Sequence, residues 1–168
     1  MAEPRWLDEN EQRAWRAFIA AQRVINGKIE QQLQRDSGMP HTYFEILVRL
    51  SDAPDGRLRM SELALATLGS RSRLSHAVDR LEKNGWVRRQ DVESDRRGQE
   101  AVLTEKGREV LRDAAPGHVE TVRQLVFDAL SPEQVAQLYD ICATLADHAG
   151  GTYDKAQWEN SPGVVPAE

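Results

Sequence analysis

The stretch SRSRLSHAVDRLEKNGW, residues 70–86, decides the fold predicted for this chain. At about 100° per residue its apolar side chains share one face of a helix, and they are Leu74, Ala77, Val78 and Leu81. The opposite face is mainly basic and hydroxylated, with Ser72, Arg73, His76, Arg80 and Lys83 and with Asp79 among them. Asn84-Gly85 supplies a helix stop. The stretch therefore predicts an amphipathic helix with a basic outer face.

A second, shorter helix is predicted just before this one. Ser61 resembles an N-cap, and Glu62 is favourably placed in the first turn. The helix would carry Leu63, Ala64 and Leu68 and end after about two turns at Gly69-Ser70. Two helices joined by a tight turn are therefore expected.

A β-hairpin is predicted after the basic helix. Residues 86–90 and 100–103 have strand character, and a polar loop between them ends in Arg96-Arg97-Gly98. Leu58-Arg59-Met60 is too short to decide, and a brief strand there stays open. Helix, turn, helix and hairpin in this order predict a mainly α protein: a winged helix-turn-helix with a two-stranded β wing.

Long helices flank this unit. A helix over 8–35 carries apolar residues at three- to four-residue steps, ends at Gly38 and Pro40, and is followed by a helix over 41–51. Thr104 caps a later helix that is predicted to kink or break near Pro116. A capping box at 131–134 starts the last helix, whose apolar seam is Val135, Leu138, Cys142, Leu145 and Ala149.

The flanking helices carry more apolar surface than two short helices can cover. We therefore expect residues 1–36 and 105–150 to dimerise, residues 37–104 to form the winged unit, and 151–168 to be a flexible tail. The length of 168 residues otherwise fits one domain. No stretch approaches the ~18 apolar residues of a membrane span, no secretory signal is expected at the N-terminus, and a single cysteine suits the reducing cytoplasm.

Positive charge is concentrated in one segment of an acidic chain. The net charge is −5, yet residues 57–97 hold ten basic and six acidic residues, a net +4 that leaves −9 for the rest. Such an island is the electrostatic footprint expected of a nucleic-acid contact. A helix fits the major groove of DNA, so double-stranded DNA is the expected partner of the outer face, with Ser70, Arg71, Ser72, Arg73, His76 and Arg80. The cationic tip, Arg96-Arg97, suits a minor groove or the adjacent backbone.

Residues 63–111, LALATLGSRSRLSHAVDRLEKNGWVRRQDVESDRRGQEAVLTEKGREVL, resemble the core of the MarR family of bacterial transcriptional regulators. The most specific parts are VDRLEKNGWV, ESDRR and LTEKG. The resemblance implies a homodimeric repressor that binds a palindromic operator through two winged helix domains and is released by a small aromatic ligand. It also implies DNA contacts from Ser70 through His76, Ser75 included, and from Arg80. In the wing it implies that Asp95 orients an arginine and that Arg97, or Arg96 with it, reaches DNA.

Several residues keep open interpretations. Arg57 and Arg59 either contact phosphate or are ordinary loop arginines, and at least one of Arg88 and Arg89 is expected to face solvent or an acid. Cys142 lies on an apolar stripe, which predicts buried packing rather than redox sensing. The histidines show no spacing with Cys142 that suggests a metal site, and no cofactor is expected. Arg16, His41 and Tyr43 are candidates for lining an effector pocket.

The sequence also bears on two other classes of function. A winged-helix module that binds proteins and never DNA is favoured by the acidic body and opposed by the arginine-rich helix. An enzyme is disfavoured, because no nucleophile triad, metal or phosphate-loop arrangement appears in the sequence. The prediction is therefore a regulator that binds DNA.

Overall fold

The structure is a computed structural model that describes residues 3–67, 70–92 and 95–149, with the backbone alone for 95–97. The helices of this part are α1 (Glu9–Ser37), α2 (His41–Asp52), α3 (Met60–Ala66), α4 (Arg71–Lys83), α5 (Glu105–Leu125) and α6 (Pro132–His148). The strands are β1 (Arg57–Arg59), β2 (Val87–Val92) and β3 (Asp95–Leu103). Among these residues no helix is long and apolar enough to cross a membrane. The tail prediction for 151–168 concerns residues outside the described part.

The first helix begins with a capping box and is buried only near its end. Asp8 accepts a hydrogen bond from the backbone N–H of Glu11, whose side chain accepts one from the N–H of Asp8, both at 2.8 Å. Ile29, Gln32 and Leu33 are its buried residues. Trp15, Phe18 and Val24 lie exposed further toward the N-terminus. The predicted helix is confirmed, and most of its apolar side chains are not covered by this chain.

The helix-turn-helix unit has the predicted order with one shifted boundary. The first helix of the pair, α3, begins at Met60, so the prediction of Ser61 as N-cap is wrong. Glu62 accepts the backbone N–H of Arg59 at 3.2 Å, and this contact lets the helix start earlier. The second helix, α4, begins after Ser70, and its four predicted anchors, Leu74, Ala77, Val78 and Leu81, are all buried. The predicted turn residues 68 and 69 lie outside the described part.

The hairpin is confirmed, and its strands are longer than the sequence indicates. Gln90 pairs with Glu100 as predicted, and Asp91 pairs with Gln99 and Val92 with Asp95, so the ladder extends into the stretch predicted as loop. Side-chain hydrogen bonds hold this polar region, from Gln90 Nε2 to Glu100 Oε2 at 3.1 Å and from Gln99 Nε2 to Asp91 Oδ1 at 3.4 Å. The segment left open at 58–60 contributes to strand β1, which pairs with β3. The sheet is antiparallel in the order β1-β3-β2.

In the C-terminal helices the predicted caps are confirmed, and a break at Pro116 is not found. Thr104 Oγ1 accepts the N–H of Gly107 at 3.0 Å, and Ser131 forms the predicted capping box with Gln134. Helix α5 runs unbroken through Pro116, so a break there is wrong. Leu111, Ala114 and Ala115 are buried just before the proline and α5 packs along α1, a burial that offsets the lost backbone hydrogen bond. Helix α6 buries none of its residues.

Candidate nucleic-acid interface

The core fixes which face of α4 points outward. Leu74 and Leu81 are part of one buried cluster with Leu47 of α2, Leu63 of α3 and Val87 of β2. A helix held on this side must present its other side to solvent. The predicted contact residues on that side are exposed, and they are Ser70, Arg71, Ser72, Arg73, His76 and Arg80. The structure therefore brings these predicted site residues together on one surface.

The arginines of this surface have no acidic partner in the described part of the chain. Arg71, Arg73 and Arg80 make none of the ion pairs found there. His76 has 82% of its side chain exposed, and its Nδ1 lies 4.0 Å from Asp79 Oδ2. Ser70 is the N-cap, and its hydroxyl oxygen accepts the N–H of Arg73 at 3.3 Å. The helix therefore offers cations that are available to an anionic partner.

Ser75 lies apart from the other predicted contact residues. Its side chain is half-buried, and its Oγ lies 3.3 Å from Nη2 of Arg89 on strand β2. The same Nη2 donates to the carbonyl oxygen of Ser75 at 3.0 Å. The structure thus places Ser75 against the hairpin rather than on the exposed face.

Arg89 confirms that one of the two strand arginines faces acids. Its Nη1 contacts Asp79 Oδ1 and lies 3.4 Å from Glu82 Oε2, while its backbone N–H donates to Glu82 Oε1 at 3.0 Å. The hydrogen bond from Arg89 holds the pKa of the Asp79 carboxyl below its usual value. Arg88 is exposed and donates to Gln90 Oε1 at 2.7 Å. Sequence reasoning anticipated an acid near this pair but not the network that Arg89 makes.

A groove of about 430 Å³ lies between the start of α4 and the sheet. Its walls include Arg59, Arg71 and Arg89, together with Ser75 and Gln99. Arg89 is paired with Asp79 and Glu82, so the cations that suit an anionic group here, such as a backbone phosphate, are Arg59 and Arg71. Arg59 and Arg57 belong to the edge strand β1, where Arg57 pairs with Asp55 at 3.3 Å. Of these two open candidates, Arg59 therefore lines the groove.

The wing candidates are described only in their backbone. Asp95, Arg96 and Arg97 open strand β3, and Asp95 pairs with Val92 across the hairpin. Their side chains lie outside the described part, so the orienting role of Asp95 and the reaching roles of Arg96 and Arg97 stay predictions. The backbone nevertheless places all three at the tip of a hairpin that starts beside α4.

Sequence reasoning missed His118 of α5. Its ring lies 4.4 Å from the ring of Phe44 and 6.1 Å from that of His41, both on α2. Burial, and to a lesser extent the nearby His41, lowers the pKa of His118 to about 4. The signal was present in the sequence, since His118 continues the spacing of the buried Leu111 and Ala115 by three residues.

The remaining pocket candidates lie on two helices. Arg16 is exposed on α1 and donates from Nη2 to Gln12 Oε1 at 3.2 Å, whereas Tyr43 is half-buried on α2. Cys142 is exposed, so the prediction of buried packing is wrong for the single chain, because α6 buries none of its residues against the rest of the described chain. Within the described ranges no group of three His, Cys, Asp or Glu side chains is arranged to hold a metal ion.

Comparison with known proteins matches this architecture. A model of the MarR family matches residues 37–98. The transcriptional repressor MprA of Escherichia coli K12 is 34% identical over 114 residues, which are 68% of this chain and 64% of MprA. The regulator YfiV of Bacillus subtilis is 32% identical over 68% of each chain. The match thus spans a little under two thirds of MprA.

Two solved structures from Streptomyces coelicolor are more similar. Sco3205, a MarR family transcriptional regulator solved in complex with DNA, is 56% identical to this chain with a TM-score of 0.83. The match covers 86% of this chain and 91% of Sco3205. AbsC, also a MarR family transcriptional regulator, is 44% identical with a TM-score of 0.82. The match covers 89% of this chain and 100% of AbsC. The chain therefore belongs to the MarR family of transcriptional regulators.

Proposed function

We propose that this protein binds double-stranded DNA sequence-specifically as a homodimer and represses transcription. One observation carries the proposal: α4 buries its apolar face and exposes Arg71, Arg73 and Arg80, which lack acidic partners in the described part. DNA is a dense anion, and release of its counterions favours binding to such a face. The solved complex of the similar Sco3205 with DNA supports the same partner.

The spacing of the exposed side chains along α4 suits contact with a few successive base pairs. Arg73, His76 and Arg80 follow one another at three- and four-residue steps, so they share one face. Seven residues of helix rise about 10.5 Å, the length of roughly three base pairs. We assign base contacts to these residues, since arginine binds guanine through two hydrogen bonds. Contacts to phosphate are assigned to Ser70, Arg71 and Ser72 at the helix N-terminus, and Ser75 is assigned to neither.

Exposed apolar residues on α1 and α6 support dimerisation. Helix α6 exposes Leu138, Ile141 and Leu145, and α1 exposes Trp15 and Val24. Exposed large apolar side chains at helical spacing indicate a partner helix, and closed two-fold pairing is the commonest arrangement. Two copies of α4 would then lie about 34 Å apart and meet a palindromic operator. Repression is supported by the similarity to MprA, a transcriptional repressor. We expect the protein to act in the cytoplasm.

A small aromatic ligand is proposed to release the protein from DNA, as the family resemblance implies. The half-buried His41 and Tyr43 lie on α2, which joins the winged unit to the long helices, and His41 donates its backbone N–H to Glu30 of α1 at 2.8 Å. A ligand at such a junction changes the relative placement of the two parts. Salicylate added to preformed complexes in a gel shift is a suitable first probe; unchanged complexes at millimolar ligand would contradict release by this class of ligand.

A salt titration on selected DNA tests the main proposal. The operator is first selected from random duplexes and the affinity is then measured between 50 and 200 mM salt, where several phosphate contacts cause a steep decline. Arg97→Ala should weaken binding to all sequences. It should also reduce the slope of log affinity against log salt concentration by roughly one, because one phosphate contact is lost. Arg35→Ala, which removes a charge at the end of α1, should change neither.

An alternative function is a winged-helix module that binds a protein and not DNA, and the net charge of −9 outside residues 57–97 favours it. The same titration separates the two. Absence of DNA binding at every salt concentration, together with a co-purifying protein partner, would support the alternative and overturn the proposal.

A further inference from the structure

One side chain contacts both acidic residues of α4, the helix that we propose reads DNA and call the recognition helix. Helix α4 has two carboxylates, Asp79 and Glu82, and both contact Arg89 of strand β2. Arg89 also donates from Nη2 to the carbonyl oxygen of Ser75 at 3.0 Å. The three helix residues follow one another at four- and three-residue steps, so the residues that the guanidinium contacts extend over about two turns of α4. Only 19% of the Arg89 side chain is exposed.

This network connects the helix to the wing through a short path. Arg89 pairs with Ala101 of β3 in the hairpin, and Ala101 is fully buried. Eight residues further along β2 and the tip lies Arg97, which we assign to DNA contact. A rotation of α4 relative to the hairpin would break the contacts to Asp79, Glu82 and Ser75 together, because all of them end on one rigid, planar group.

We infer that Arg89 is a positioning residue that sets the orientation of the recognition helix relative to the wing, and through it the sequence specificity, without contacting DNA. The inference rests on the proposed DNA binding. Base contacts depend on placement within fractions of an ångström, whereas attraction to phosphate depends mainly on charge. Loss of this network should therefore reduce specific binding much more than non-specific binding.

The shape of arginine, and not its charge alone, is required for this role. Arginine presents five N–H donors in a fixed fork, while lysine has one compact ammonium on a flexible stem. A lysine at 89 keeps the charge opposite Asp79 and Glu82, but its single nitrogen cannot contact both carboxylates and the Ser75 carbonyl in the same geometry. Arg89→Lys therefore separates geometry from electrostatics at this position.

The test compares the affinity of Arg89→Lys for the selected operator and for a scrambled duplex of equal length. We expect the ratio of the two affinities to fall about tenfold, the discrimination lost with one well-placed base contact. Affinity for the scrambled duplex should stay within about twofold, because the net charge is kept. Arg88→Lys is the matched control: Arg88 is the exposed neighbour that contacts Gln90, and its replacement should leave the ratio unchanged.

A second variant tests the same network from the helix. Asp79→Asn should also lower the ratio, and the double variant with Arg89→Lys should lose less than the two single losses combined, because both disrupt one unit. Urea unfolding of each variant reports the folded fraction. Equal losses on both duplexes, with a lower unfolding midpoint, would show a merely structural role and overturn the inference, as would an unchanged ratio in Arg89→Lys. A parent protein that binds neither duplex would instead overturn the proposed function itself.

Discussion

Thr104 and Trp86 are joined at the carbonyl oxygen of Trp86, which accepts the backbone N–H of Thr104 at 3.0 Å and lies 3.0 Å from its hydroxyl oxygen. The joint connects the start of α5 with the start of the wing. Lys106 Nζ strengthens it by donating to the carbonyl oxygen of Asn84 at 2.9 Å. Two of the motifs that mark the family, LTEKG and the end of VDRLEKNGWV, are therefore partners in one structural contact. This contact holds the start of the wing against the start of α5.

Gly107→Ala should destabilise the fold through this joint. A Cβ on Gly107 would collide with the Trp86 carbonyl oxygen, which is backbone held by Thr104 and cannot move aside. Overpacking of this kind costs about 1–3 kcal/mol, more than the gain of up to ~1 kcal/mol from replacing glycine in a helix. The midpoint of thermal unfolding should fall. Gly27→Ala, in open space on α1, should not lower it; equal midpoints for the two variants would refute the close contact.

Substitutions at Ser70 should separate helix capping from DNA contact. Ser70→Ala removes the cap on α4 and should cost about 1 kcal/mol of stability. Ser70→Asp keeps a good cap and adds a negative charge that suits the helix N-terminus, so stability should be preserved. The same charge would face DNA phosphates, and affinity for the operator should fall at least several-fold. Parental affinity in a stable Ser70→Asp protein would place the start of α4 away from DNA.

His118 should make the fold sensitive to acid. Its pKa is lowered to about 4 by burial, against 6.5 in the unfolded chain. The unfolded state therefore binds more protons between these values, so the stability that His118 contributes is complete above about pH 6.5 and is lost as the pH falls toward 4. The slope for one group is at most ~1.4 kcal/mol per pH unit, and partial exposure makes it smaller.

His118→Phe keeps a ring against Phe44 and removes the titration. Chemical denaturation between pH 4 and 7 should show a shallower loss of stability in this variant than in the parent. Identical slopes would mean that His118 is solvated in the folded protein.

Leu138→Arg should dissociate the proposed dimer. Leu138 is 39% exposed on the α6 seam of the single chain, and a charge buried in a helix seam is costly. Sedimentation velocity should show a monomer, and operator affinity should fall by a factor of ten or more because two linked contacts become one. Gln137→Arg introduces the same charge on the neighbouring exposed residue and should leave the dimer intact. Dimeric Leu138→Arg would exclude α6 from the interface.

The features predicted correctly from the sequence are those with local causes. The 3.6-residue apolar period fixes the buried face of α4, and capping residues such as Thr104 and Ser131 act within three residues of themselves. The helix stop at Gly85 is also local: its φ of 75° is a conformation that glycine adopts without strain. The family motifs then supply the order of the elements.

The features that were missed depend on tertiary contacts. Strand β1 forms only because β3 is there to pair with it, and the extra length of the wing depends on cross-strand pairs such as Asp91 with Gln99. The family resemblance includes Ser75 among the DNA contacts because it covers the whole run from Ser70 to His76, and it gives no sign of the contact that Ser75 makes with Arg89 of β2, fourteen residues further along the chain. The unbroken passage through Pro116 likewise depends on packing of α5 along α1.

The most direct measurement of the central claim is the base preference of Arg73→Ala on the selected operator. Affinities of parent and variant are measured for the operator and for every single base-pair change in it. We expect the variant to lose about 1–3 kcal/mol on the operator and to become indifferent to the base at two symmetry-related positions, with the remaining preferences unchanged. A preference profile identical to that of the parent at every position would contradict recognition of DNA by the exposed face of α4.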